Sequence, residues 1–282
     1  MTSPRTLLTA WNLQAKKQLG QNFLTDANVS RQIVKHAALS GQETVLEIGA
    51  GLGAITLPAA AAARRLIAVD KDQQLIGLLR AELLAAGIDN VEIREADILR
   101  LDLKAVARDV AQPLVVMGNL PYNISSQVIV QLINARSHVD RAVLMLQKEM
   151  AQRVSTGPGS KTYGRLSVML QYCAQVRELM QVKAAQFFPP PKVDSTVIGI
   201  RFVNPPPFPA DDDTLLFRVI KAAFGKRRKT LRNALSQSDL QLDTTICENL
   251  LTQADIDPTR RAETLSVEDF VRLSNGLAAK QK

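Results

Sequence analysis

The chain has 282 residues, 46% of them hydrophobic, and a net charge of +8. That apolar share suits a globular protein that buries a real core, as one large domain or an ordinary one with a small appendage. No stretch is long and apolar enough to span a membrane, and two cysteines, Cys173 and Cys247, suffice for neither a disulfide framework nor a metal cluster.

The first twenty residues lack the apolar core and cleavage pattern of a secretory signal, so the cytoplasm is the expected compartment. His36 and His138 lie in separate regions without ligand spacing and read as structural; no metal is expected. The positive balance points to a polyanionic partner. Its charges cluster at Lys16-Lys17 and again at Lys226-Arg227-Arg228-Lys229 with Arg232. Such a run can be a solvated helix face, but here it interrupts an apolar helical pattern, and nucleic acid is the favoured partner.

In chain order, Gly20-Gln21-Asn22-Phe23-Leu24 precedes Asp26, a plausible N-cap, with Val29, Ile33, Val34 and Ala37 at helical spacing. Thr44 to Ile48 is a strand running into Gly49-Ala50-Gly51-Leu52-Gly53. A helical stretch follows, then a strand from Arg65 to Val69 ending at Asp70. Strand, glycine-rich turn, helix, strand and acid outline a nucleotide-binding βαβ unit. Asp72 can cap a helix through Leu83, and further strands are expected at Val91–Arg94, Leu114–Met117 and Ala142–Leu146. This alternation implies a mostly parallel sheet with helices on both faces, whose ligands sit at the strands' carboxyl ends. Glu47, Gly49, Asp70, Asp97 and Asn119 fall at or near those ends and together describe a pocket.

Asn119-Leu120-Pro121-Tyr122 reads as a tight turn after a buried strand. Pro121 lacks an N–H and biases Leu120 towards extended backbone, which fixes the preceding carbonyls. Tyr122 adds a flat ring with a polar tip. Such a corner can hold a planar ring bearing an amine; the bland alternative is a proline turn with a tyrosine capping the core. Downstream, Ser155 to Arg165 is a loop, Leu166 to Tyr172 a helix, and Phe187-Phe188-Pro189-Pro190-Pro191 a stiff segment leading into a strand from Thr196 to Phe202. One of the two phenylalanines can be aimed inward, or both can be core. Prolines at 205–207 and 209 mark a linker. Helices follow at Leu215–Phe224, Thr230–Leu235, Ile246–Leu251 and Val267–Leu277, so the domains are expected to span 1–204 and 205–282.

A glycine turn with an acid ending the second strand also fits a dinucleotide dehydrogenase. Glu47 before the turn, Asp97 and the NLPY corner fit S-adenosylmethionine better. In that reading Asp70 accepts from the ribose hydroxyls and Asp97 from the adenine amine. At this point the motifs GQNFL at 20–24, EIGAGLG at 47–53, NLPYNIS at 119–125 and LQKEMAQRV at 146–154 stand in order. YGRLSV at 163–168, PPPKVDS at 189–195, FGKRRKTLRNAL at 224–235 and RRAETLSVEDF at 260–270 continue them. Over nearly its whole length the sequence resembles the ribosomal RNA adenine dimethyltransferases, the bacterial small-subunit enzymes more than the antibiotic-resistance methylases of large-subunit RNA.

The resemblance implies an α/β fold: a Rossmann-like, S-adenosylmethionine-dependent methyltransferase sheet with a small C-terminal α-helical domain that binds RNA. It assigns Asn22, Leu24, Gly49, Asp70, Asp97 and Asn119 to the cofactor. Asn119, Leu120, Pro121 and Tyr122 then hold the target adenine, with Phe187, counted back from Lys192, closing the other face. One departure is Asp70, where the family usually has the longer Glu. The implied activity is dimethylation of two adjacent adenine N6 amines in a hairpin near the 3′ end of small-subunit RNA, with that RNA or an immature small subunit as partner; nothing in the sequence suggests an obligate dimer, and a monomer is expected. Two other readings stay open: methylation of adenine in DNA or large-subunit RNA, and an RNA-binding assembly or transcription module on the same scaffold.

Overall fold

The computed structural model describes residues 2–226 and 228–281. The chain divides into two compact units: residues 1–151 with 176–202, and residues 152–175 with 203–282.

The first unit is built on strands β1 (Phe23–Leu24), β2 (Thr44–Ile48), β3 (Arg65–Asp70), β4 (Val91–Glu95), β5 (Leu114–Asn119), β6 (Val139–Gln147), β7 (Ala174–Val182), β8 (Phe187–Phe188) and β9 (Ser195–Phe202). Seven form one sheet in the order β4-β3-β2-β5-β6-β9-β7, while β1 and β8 pair separately. From β4 to β6 neighbouring strands are parallel; β9 runs antiparallel to β6. Strands in the middle of such a sheet are buried on both faces, hence the near-continuous apolar runs. On one face Val45, Leu66, Ala68, Val115 and Met117 pack with Val29 and Ile33 of helix α1 (Ala27–His36) and Ala59 of α2 (Thr56–Ala60). On the other, Leu46, Ile48, Ile67, Val69 and Val116 are equally buried. Each such side chain contributes about 1.5–3 kcal/mol over its exposed state.

Helix starts follow the acids. Asp26 caps α1, and Asp72 caps α3 (Gln73–Ala85), each accepting from an amide two residues on. The chain winds outward from β2 through β3 to β4, then returns to lay β5 on the other side of β2. That reversal is the topological switch point, where open α/β sheets bind ligands beyond the strands' carboxyl ends.

The second unit contains helices α4 (Arg165–Cys173), α5 (Asp213–Phe224), α6 (Leu231–Ser236), α7 (Thr244–Gln253) and α8 (Val267–Gln281). Tyr163, Phe224 and Phe270 pack in series, with ring centroids 6.3 and 5.8 Å apart. The boundary expected near residue 205 therefore differs from the structure in one respect: residues 152–175 join the carboxyl-terminal helices. Their aromatic side chains give the reason. Tyr163 meets Phe224, and Tyr172 packs edge-on against Phe217 and hydrogen-bonds to Asp213.

Candidate active site

The carboxyl ends of β2, β3, β4 and β5 open into one cleft, closed on a further side by the segment Gln18–Leu24. The cleft encloses about 1160 Å3, mouth included. Asn22, Leu24, Gly49, Asp70, Asp97, Asn119, Leu120, Pro121 and Tyr122 all line it. Residues spread over a hundred positions of sequence converge because each ends or follows a strand of the same sheet, or lies in the strap across its mouth.

The glycine turn brings backbone close to this space. Gly51 has φ +55, and a Cβ there would lie 3.3 Å from the Phe23 ring, so a side chain would be both strained and crowded. The Gly51 amide donates to Asp70 Oδ2 at 2.9 Å, and the Asp72 amide donates to Oδ1 at 2.9 Å. Burial pushes the Asp70 carboxyl up, while these amides oppose the shift. The shorter acid is thus braced by backbone, and the remaining lone pairs of its oxygens are free to accept from a ligand. At β4, Asp97 Oδ1 caps the Leu99 amide at 3.1 Å and Oδ2 lies 3.4 Å from Lys71 Nζ.

Glu47 is almost wholly buried, and its Oε2 has no hydrogen-bond partner among the described residues. Burial pushes the Glu47 carboxyl up to about 8; the Thr56 hydroxyl and amide act against this and the Asp70 charge adds to it. An orphaned buried carboxyl oxygen in the wall of a cleft is a place for a ligand's polar group. Because the folded carboxyl keeps its proton well above the 4.5 of an ordinary Glu, this group's contribution to stability falls as pH rises from 4.5 to 8. Glu47→Gln should therefore match the ligand-free wild type below pH 4.5 and exceed its unfolding free energy by about 4–5 kcal/mol above pH 8. Denaturant titrations of both proteins across that range measure the difference; parallel curves would remove Glu47 from the pH dependence.

The corner after β5 is closely held. Gly118 has no room for a Cβ, which would sit 2.5 Å from the Ile48 carbonyl oxygen of the neighbouring strand. Asn119 follows, and its Nδ2 donates to the Asn22 carbonyl at 2.8 Å, so Oδ1 is the atom left over. The Leu120 amide donates to the Met145 carbonyl at 3.1 Å and its side chain is buried, which fixes that peptide. The Pro121 carbonyl accepts from Ser125 Oγ at 3.0 Å and the Ile124 amide at 3.2 Å. Among the described residues none donates to the Leu120 carbonyl. Two acceptors, Asn119 Oδ1 and the Leu120 carbonyl, are thereby left unused at one corner.

Tyr122 is half-buried, and its hydroxyl lies 3.0 Å from Ser195 Oγ at the start of β9. Burial raises the Tyr122 phenol, so it stays protonated. Ser195 is fully buried and anchors the ring at its hydroxyl. One hydrogen bond of about 1 kcal/mol corresponds to roughly fivefold in rate. Ser195→Ala and Tyr122→Phe should each lower turnover by about that factor, and the double variant should be no worse than either single one. Additive losses would show that Ser195 acts elsewhere.

Phe187 is not on the cleft wall. It is 3% exposed and lies in the core with Leu24, Met117 and Val197. The antiparallel pairing of β8 with β1 sets Phe187 opposite Leu24 and Phe188 opposite Phe23, and this register turns the Phe187 ring inward. In the second unit, α5 ends at Phe224 and α6 begins at Leu231, so Lys226, Arg228 and Lys229 lie between the two helices rather than on a helix face. Lys226, Arg228 and Lys229 are exposed; Lys226 Nζ reaches Gln237 Oε1 at 2.6 Å. Arg232 is half-buried and 3.6 Å from Glu248, so its charge is engaged within the protein. Arg227 lies outside the described residues.

A family model described as ribosomal RNA adenine dimethylase matches residues 12–279. The chain belongs to this family. It is 51% identical to the ribosomal RNA small subunit methyltransferase A of Desulforapulum autotrophicum, over 98% of this chain and 97% of that one. The protein of the same name from Alkaliphilus metalliredigens is 38% identical over 98% and 96%. Among solved structures, a dimethyladenosine transferase from Plasmodium falciparum superposes with a TM-score of 0.75 at 26% identity, covering 92% of this chain and 98% of its own. The 23S rRNA methyltransferase ErmE shares the fold, with a TM-score of 0.70 at 24% identity over 91% and 100% of the two chains. The sheet is thus the Rossmann-like methyltransferase type expected from the sequence. Not visible in the sequence were the Asn22 carbonyl that orients Asn119 and the Ser195 support of Tyr122, since both join residues 73 or more positions apart.

Proposed function

We propose that this dimethylase family member uses S-adenosylmethionine to dimethylate the N6 amines of two adjacent adenines in a hairpin near the 3′ end of 16S rRNA, within an immature small subunit. The observation that carries the reading is the pair of unused acceptors, Asn119 Oδ1 and the Leu120 carbonyl, at the corner where the sheet reverses. An exocyclic amine has two N–H donors and a lone pair delocalised into its ring. Two acceptors at a rigid corner engage both donors, favour a pyramidal nitrogen and turn its lone pair into the cleft. When bound, S-adenosylmethionine supplies a methyl already activated by its sulfonium. The braced Asp70 suits ribose hydroxyls, Asp97 suits an adenine amine, and the orphaned Glu47 oxygen offers a further hydrogen-bonding group. Asn22, Leu24 and Gly49 complete that wall. No strong base is needed, because the alkylated nitrogen is acidic enough to lose a proton to water.

A base must leave its stack to enter this corner, and stacking on Tyr122 offsets about 1–3 kcal/mol of that cost. Phe187, packed in the core with Leu24, supports the wall that closes the other face. Lys226, Arg227, Arg228 and Lys229 grip phosphates, with Arg232 fixing the turn that carries them. The protein acts as a monomer in the cytoplasm. Incubation with labelled S-adenosylmethionine tests the reading: label should enter small-subunit particles from cells lacking the modification. Transfer to large-subunit RNA or DNA instead would assign another substrate, and binding without transfer would favour an assembly module.

A further inference from the structure

The segment from Lys16 to Leu24 crosses the cleft as a strap and is fastened at both ends. At one end its fastening is a single carboxylate. Asp72, with only 3% of its side chain exposed, accepts from Lys16 Nζ at 2.8 Å through Oδ1 and from Gln21 Nε2 at 2.8 Å through Oδ2. Gln21 is itself oriented, because its Oε1 accepts from the Lys16 amide at 2.8 Å. At the other end the strap meets the corner after β5. A Cβ on Gly20 would lie 3.4 Å from both Pro121 Cβ and Asn123 Oδ1, and the Asn22 carbonyl accepts from Asn119 Nδ2 at 2.8 Å.

We propose that Asp72 is a positioning residue: it latches the strap so that the Asn22 carbonyl turns the Asn119 amide and presents Oδ1 to the target amine. The inference rests on the function proposed above and assigns the latch a part in it. Without the latch, Lys16 and Gln21 lose their side-chain fastening to the sheet, and the Asn22 carbonyl that selects which end of the Asn119 amide faces the cleft is left to the β1–β8 pairing of the residues after it. Asp72 also caps the first turn of α3, accepting from the Gln74 amide at 3.3 Å. A test must separate the two roles.

Asp72→Asn keeps an oxygen for the cap but turns an NH2 donor towards the Gln21 donor. Gln21 cannot simply rotate, since its oxygen is already engaged by the Lys16 amide. Gln21→Glu alone sets two carboxylates against each other. Combined, the two substitutions restore a donor and an acceptor in reverse order and return a carboxylate to Lys16. Each single variant should lower kcat for methyl transfer about 10- to 100-fold, with KM for RNA changed by less than threefold. Amide hydrogen exchange at residues 13–22 should quicken at least tenfold. The double variant should recover both readings to within about threefold of wild type. If Asp72 matters only as a helix cap, exchange will rise at residues 73–77, the strap will stay protected and Gln21→Glu will rescue nothing, which overturns the latch. If instead the strap loosens and re-forms as described while the wild type transfers no methyl to RNA, the proposed function fails and the mechanical coupling stands.

Discussion

Asn119→Ala is expected to lower kcat by roughly 10³-fold while the affinity for S-adenosylhomocysteine stays within a few-fold of wild type. Asn119 is one of many residues along the cofactor wall, so losing one contact there is tolerable. At the amine its oxygen is one of the two acceptors, with the Leu120 carbonyl, assigned to hold it. The Asn22 carbonyl fixes which end of the amide faces the cleft, and in the alanine variant that carbonyl loses its donor as well. Asn119→Asp is a useful companion, because it places a carboxylate against the Asn22 carbonyl and should disturb the corner. Isothermal titration with S-adenosylhomocysteine, paired with single-turnover methyl transfer, separates binding from chemistry. Turnover near the wild-type level in the alanine variant would refute the assigned role.

Neutralising Arg227 and Arg228 together should weaken RNA binding about tenfold at moderate salt and reduce the slope of log affinity against log salt by about 1.5. Each phosphate contact that is lost no longer releases its counterions, which is why the slope reports their number. Arg228 stands exposed in the turn after α5, beside Lys226 and Lys229. Arg232 differs: with its guanidinium beside Glu248, its neutralisation should disturb α6 before it changes the salt slope. S-adenosylhomocysteine affinity should not move in the Arg227/Arg228 variant. An unaltered slope would assign those two arginines to packing or solubility.

The sheet and its ligand rim were legible because their signals are local. Thr44 to Ile48 is fully buried strand, Asp72 caps the helix after β3, and the acids at 47, 70 and 97 each stand at or just past the end of their own strand. Spacing alone places such residues on one edge once the strands are known to be parallel. The long strand β7 was not read, since its exposed positions, among them Gln175 and Glu178, break the apolar pattern. The domain division was read from prolines at 205–209 and missed residues 152–175, whose allegiance is decided by the rings of Tyr163 and Tyr172 against partners some 40 to 60 residues on. Phe187 was placed by its motif, which carries position along the chain but not the register with Leu24 that turns the ring into the core. Nor could the fastening of the strap to Asp72 be seen, because hydrogen bonds between residues 51 and 56 positions apart leave no local trace.

A crystal structure of the protein with S-adenosylhomocysteine and an RNA hairpin bearing the two adenines bears most directly on the corner after β5. One adenine should be flipped out of its stack and lie on Tyr122, with its N6 within hydrogen-bond distance of both Asn119 Oδ1 and the Leu120 carbonyl and the cofactor sulfur on the open side of that nitrogen. An adenine bound elsewhere, or an N6 turned away from those two oxygens, would contradict the role assigned to that corner.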